Sequence, residues 1–312
     1  MFAIFYIAKR NLQDILRTGV FWVAIGLAGF ICFSMLYWGW RQIEPEVSNQ
    51  QTRRPPFAQD LTDPDNPRHP PAFEDESNSW DPLASIKPEN IILLYAYGIT
   101  IFFANLVAIF VVLGLIGREL DRRTIDLLVS RPVSRTQILT GKLLAGWASI
   151  VIFMALMAVW TIVCQVWGGM GLRPGYLNAC AIGTVAPLLV GAITLVLSIW
   201  MRGFLAGLLS VVMISASGTA GMILIKLLGI EILKLKWPVW FLYKILPPMN
   251  VIGEAAAEHL ESDLWLRYAR SMFEGIGPKV ADGIYSEMWH VWVYLAIVLI
   301  LGWLSFFRRE FT

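Results

Sequence analysis

The sequence predicts an all-α, polytopic membrane protein with six transmembrane helices and both termini in the cytoplasm. Three observations carry that prediction. The first is composition: 57% of the 312 residues are hydrophobic, 15% are charged, and the mean hydropathy is +0.61, which lies outside the range of soluble domains. The second is that the apolar residues gather into six runs, each of the roughly 20 residues or more that a helix needs to cross the hydrocarbon layer. A helix is the economical solution there, because every backbone polar group must be satisfied within the segment. The third is a segregation of charge between alternate connections. The net charge of +2 supplies no basis for a nucleic-acid partner.

Residues 1–19 interleave Phe2, Phe5, Tyr6, Leu12 and Leu16 with Lys9, Arg10, Asp14 and Arg17, the pattern of an amphipathic helix lying in the membrane interface. The first span, 20–40, is too long for a signal-peptide core and ends in Tyr37-Trp38-Gly39-Trp40, an interfacial aromatic cluster. Residues 41–90 hold nine of the sixteen prolines and ten acidic residues, which predicts an extended extracytoplasmic loop. Spans follow at 91–116, 143–167 and 176–200, the last two joined by a Gly-rich turn, and Pro187 is expected to kink the last of them. Met201-Arg202-Gly203 leads directly into a fifth span, 204–229.

Residues 230–287 form a second extracytoplasmic connection. Within it, Trp237, Trp240, Phe241, Tyr243 and Leu246 among Lys234, Lys236 and Lys244 read as an interfacial or re-entrant helix that stops at Pro247-Pro248. Ala255–Met272 reads as a soluble amphipathic helix. The sixth span, 288–307, ends at the basic stop Arg308-Arg309.

Charge orients the spans. Segments 1–19, 117–142, 201–203 and 308–312 together carry twelve Lys and Arg against five acidic residues, whereas the rest of the chain carries thirteen against eighteen. The basic density lies in short connections, where the positive-inside rule is strongest, so these segments and both termini face the cytoplasm.

The densest charge lies in 117–142. Leu120, Thr124, Leu127 and Leu128 make one apolar stripe on a charged helix. Pro132 disfavours helical geometry at Arg131, and Ser134-Arg135-Thr136-Gln137 reads as a capping box that starts a new helix at about Arg135. A short amphipathic helix, a tight turn and a new helix at a membrane surface can transmit motion.

The order Glu119, Arg123-Thr124, Asp126-Leu127-Leu128, Ser130-Arg131-Pro132-Val133-Ser134-Arg135, Ile138-Leu139 and Gly141-Lys142 resembles the cytoplasmic loop of ABC-2-type transporter permeases. The resemblance implies a type V exporter-like architecture in a bacterial inner membrane, a second permease copy or homologue, and a coupling helix docked on a separate cytoplasmic ATPase. It assigns docking to Glu119, Arg122, Arg123, Thr124, Asp126, Leu127, Leu128, Arg131, Pro132, Val133, Ser134 and Arg135. The chain departs from the family pattern at Arg123, where Gly often precedes the Thr.

No cofactor is expected in this chain itself. Gly141-Lys142 has Thr136 five positions before Gly141 and Leu143 after Lys142, so it is not a phosphate-binding loop. ATP and magnesium would then bind the partner ATPase. Cys32, Cys164 and Cys180 lie far apart in apolar segments and read as small core residues. His69, His259 and His290 fall in or beside outer segments without ligand spacing.

Ser215-Ala216-Ser217-Gly218 superficially resembles the serine motif of rhomboid proteases, but His290, near the outer edge of the sixth span, is the one histidine in any other span and a general base must reach the nucleophile, so the four read as small helix-packing residues. Pairs such as Gly26 and Gly29, Gly114 and Gly117, and Gly203 and Gly207 read as helix-packing positions. The span cores lack acidic residues, and Lys226 is the one charge that reads as buried. That argues against an ion-coupled carrier, which needs an intramembrane ionisable group for its coupling ion. The expected function is the transmembrane subunit of an ATP-driven exporter. A non-transporting membrane scaffold and an intramembrane hydrolase are the alternatives from other classes.

Overall fold

A computed structural model describes residues 2–52, 88–117, 134–168, 173–201, 203–217, 246–260 and 284–308, and all the secondary structure among them is helical. Helix α1 is Phe2–Arg17 and α2 is Gly19–Thr52. Thr18 forms the bend between them: its hydroxyl donates to the Ile15 carbonyl at 2.6 Å while its own carbonyl accepts the Phe21 N–H at 3.2 Å. The Trp22 indole spans the bend and donates to the Leu16 carbonyl at 2.7 Å.

Helix α2 corrects the expected loop boundary at residue 41, because it continues without a break to Thr52. Gln42, Glu44, Glu46, Gln50 and Gln51 are strong helix formers, and their summed propensity carries the backbone past Pro45. That proline deprives the helix of a single N–H, the one that would reach Arg41. Residues 53–87 lie outside the described residues.

Helix α3 is Pro88–Val112 and runs on into a π-helical turn, Leu113–Gly117. Helix α4, Arg135–Trp167, follows the Ser134 cap. The expected fourth span is two helices, α5 (Gly175–Gly183) and α6 (Val185–Trp200), hinged at Thr184. Pro187 explains the position of the hinge: it has no N–H for the Gly183 carbonyl four residues back, and its ring crowds that carbonyl. At the hinge the Thr184 hydroxyl and N–H both donate to the Cys180 carbonyl, at 2.7 and 3.0 Å.

Helix α7 is Gly203–Ser217, the first part of the expected fifth span; the remainder of that span, and the aromatic helix expected before Pro247, lie outside the described residues. Helix α8, Met249–Glu258, begins six residues before the soluble helix expected at Ala255–Met272 and turns at His259 and Leu260; residues 261–272 of that expected helix lie outside the described residues. Pro247-Pro248 acts as a start signal rather than only a stop, in keeping with the preference for proline at helix beginnings. One face of the helix packs into the body, with Val251, Ile252, Ala255 and Ala256 buried, while Glu258 is exposed. Helix α9, Ile284–Arg308, completes the described elements.

Among the described residues, five segments are long and apolar enough to cross a membrane: Gly19–Gly39, Ile92–Leu115, Thr136–Trp167, Gly175–Trp200 and Met288–Arg308, with Gly203–Ser217 apolar but shorter. The largest core joins α2, α3, α4 and α5 through Phe21, Cys32, Leu36, Leu93, Tyr97, Phe153, Met157 and Tyr176. A second core joins α6, α8 and α9 through Leu189, Ile193, Ile252, Val291 and Leu295. Between them Ala108, Ile109, Ile150 and Val190 tie α3, α4 and α6 together.

Small residues sit at the crossings: Ala28, Ala96, Ala104, Ala145, Ala179, Ala192 and Ala206 are fully covered. Large apolar side chains such as Trp22, Phe30, Phe204, Trp292 and Ile300 point outward. This inversion suits lipid, where close van der Waals packing of small side chains replaces the hydrophobic drive between helices.

Candidate functional site

Of the residues assigned to docking, Glu119, Arg122, Arg123, Thr124, Asp126, Leu127, Leu128, Arg131, Pro132 and Val133 lie outside the described residues, whereas Ser134 and Arg135 lie at the start of α4. The Ser134 backbone is extended, with φ −70° and ψ 147°. Its hydroxyl accepts the Gln137 N–H at 3.3 Å, and the Gln137 side-chain oxygen accepts the Ser134 N–H at 3.2 Å. This is the reciprocal capping box read from the sequence, and it satisfies two backbone donors that a helix start otherwise leaves open.

The other end of the segment is the π-helical turn. Such turns are rare and mark places where a helix absorbs an extra residue. Lys142, two turns into α4, reaches across and donates from Nζ to the Leu115 carbonyl at 2.8 Å. Its side chain is only 5% exposed. In sequence Lys142 belongs with the cytoplasmic loop cations and Lys226 is the charge expected to be buried; Lys226 lies outside the described residues, and Lys142 is the charge buried among the described residues. The available clue was its neighbourhood, with Leu139, Leu143 and Ala145 on an apolar helix.

Gly141, beside Lys142, is where α1 crosses α4. A Cβ there would lie 2.9 Å from an Ile7 methyl and 3.2 Å from the Ile4 carbonyl oxygen, so the crossing needs a residue without a side chain. On the opposite side, a Cβ on Gly207 of α7 would meet a Leu113 methyl at 2.7 Å. Four elements therefore converge on residues 113–115 and 141–142.

The model of the ABC-2 family transporter proteins matches residues 5–311, nearly the whole chain. The chain belongs to the ABC-2 transporter family. It is thus an integral, multi-pass permease of a family of membrane transport components that do no catalysis themselves and that generally work with ATPase subunits. A comparison with curated proteins found no match.

Deeper in the permease a polar seam joins α2 to α5. The Tyr176 hydroxyl donates to Thr161 at 3.2 Å and lies 3.4 Å from the Thr100 hydroxyl, while the Cys32 thiol donates to the Ala96 carbonyl at 3.7 Å. Thr100 and Thr161 each donate to their own helix, to Ala96 at 2.9 Å and to Met157 at 3.0 Å. Gln165, one turn beyond Thr161, is fully buried with neither amide atom hydrogen-bonded.

The three cysteines are buried free thiols, the packing role their placement in apolar runs predicts. Ser215 and Ser217 donate to the Val211 and Ile214 carbonyls of their own helix, which leaves them as packing residues of α7. Of the paired glycines, Gly29 receives the Trp160 indole on its carbonyl at 2.9 Å, an intramolecular contact, whereas a Cβ at Gly26 or Gly114 would meet open space.

Proposed function

We propose that this permease is the six-span transmembrane subunit of an ATP-driven exporter in a bacterial inner membrane, with both termini and residues 117–142 in the cytoplasm. A separate ATPase docks on the 118–135 element through Leu127 and Leu128 and the surrounding charges. Closure of two such ATPases around ATP and magnesium displaces the element, and the spans of a permease pair rearrange around a central pathway.

The observation that supports this reading most directly is the capped start of α4 at Ser134. A force delivered at Ser134 enters a capped, hydrogen-bonded helix of 33 residues, and a helix moves as a body where a loose loop would absorb the displacement. The apolar stripe of the element supplies the kind of face that seats in a partner's groove.

The test is affinity purification of the tagged permease from its native membrane, with the ATP hydrolysis rate of the complex as the second measurement. Wild type is expected to retain a cytoplasmic ATPase, and Leu127→Glu or Leu128→Glu to lose it at least tenfold, with permease abundance in the membrane unchanged. Failure of any ATPase to copurify, together with unchanged activity of both variants, would overturn the docking reading.

A further inference from the structure

We propose that Lys142 is a positioning residue that clamps the two ends of the 118–133 segment together, so that displacement of the segment moves α3 and α4 as one unit. The proposal rests on the coupling reading above and adds the device that keeps both exits of the loop in step.

Three observations carry it. The Lys142 ammonium lies 2.8 Å from the Leu115 carbonyl, two residues before the loop leaves the π-helical turn and eight residues after Ser134 begins α4. It does so while almost fully buried. Taking an ammonium out of water is costly unless polar partners replace the solvent, and the Leu115 carbonyl is one such partner. The acceptor belongs to the π-helical turn Leu113–Gly117, and a backbone carbonyl oxygen has two lone pairs, so it can take a charged donor from a neighbouring helix.

The second observation is the π-helical turn itself. A wider turn is a point where α3 could unwind or slip when pulled, and the clamp sits on it. Third, the site is boxed in: α1 crosses at Gly141 and α7 touches Leu113 through Gly207. Apolar contact alone lets packed helices slide past each other, whereas a charge-assisted hydrogen bond in a low-dielectric site fixes a register. Lys142 supplies such a register between α3 and α4.

The test uses hydrogen–deuterium exchange on the full permease in nanodiscs, with and without its copurified ATPase and trapped ATP. Lys142→Met keeps the length and apolar volume of the side chain but removes the donors; Lys142→Arg keeps a donor. Without nucleotide, exchange in residues 113–117 is expected to be at least fivefold faster in the Met variant and within twofold of wild type in the Arg variant, with α6 unchanged in both. With ATPase and nucleotide, wild type is expected to change exchange at 105–117 and 135–145 together, and the Met variant at 135–145 alone.

A merely structural lysine would not separate the two ends in this way. Wild-type exchange at 113–117 in the Met variant, or ends that still respond together in it, would overturn the clamp. If the Met variant does not fold, unequal responses of the two ends in wild type would overturn it as well. If neither end of wild type responds to nucleotide, the coupling reading fails, and the nucleotide-free exchange still decides the clamp.

Discussion

At the scale of single residues, glycines and one lysine do what their sequence context only half announces. Gly175 opens α5 against the turn after α8, and a Cβ there would collide with the His259 carbonyl oxygen. Gly183 ends α5 against Tyr97, where a Cβ would collide with the phenol hydroxyl. The two obstacles differ in kind, because a side chain can rotate away and a backbone carbonyl held in a packed turn cannot. Gly175→Ala is therefore expected to lower stability by about 1–3 kcal/mol, the usual cost of overpacking a tight site. The gain in helix propensity from Gly to Ala, at most about 1 kcal/mol, does not offset it. The measurement is the thermal unfolding midpoint in detergent, and a midpoint equal to or above wild type would show that the α5–α8 contact is loose. Sequence announced neither partner, since His259 lies 84 positions from Gly175.

At the scale of elements, helix starts were the legible features. The capping box at Ser134 is local chemistry, four consecutive residues whose bonds need nothing from the rest of the fold. The hinge at Thr184 is nearly as local, because Pro187 determines which carbonyl loses its donor. Ser134→Ala is expected to weaken the start of α4 by about 1 kcal/mol, read as roughly fivefold faster amide exchange at Thr136 and Gln137 with the exchange of α6 unchanged. An effect spreading through α4 would mean that the cap holds the whole helix rather than its first turn. Two element boundaries are not legible from composition, the C-terminal extension of α2 and the start of α8. Prolines and acids suggested a loop at 41–52, and charged residues after Glu258 obscured the apolar face Val251, Ile252, Ala255 and Ala256.

At the scale of the whole molecule, the covered alanines and outward-facing tryptophans establish a body built for lipid, and the family match makes it an ABC-2 permease. Its orientation rests on charge segregation. Single cysteines in place of Asp60, Ser130 and Trp265, treated in intact cells with a membrane-impermeant thiol reagent, are expected to label at 60 and 265 and to stay unlabelled at 130 until the membrane is opened. The native thiols are buried and give a low background. Labelling of residue 130 from outside would reverse the topology and remove the loop from reach of an ATPase.

The membrane class of the protein, five of its apolar spans, the capped start of α4 and the family were determined by the sequence alone, because they depend on hydropathy, charge and short-range backbone chemistry. Tertiary structure alone decided which polar groups meet. Lys142 and Leu115 are 27 positions apart, and Thr100 and Tyr176 are 76 apart. No periodicity records such pairs, since each depends on how two helices rotate and cross, and that is settled by the packing of small residues along their whole length. A lysine counted as a loop cation thereby becomes a buried tie between the two helices that carry the loop.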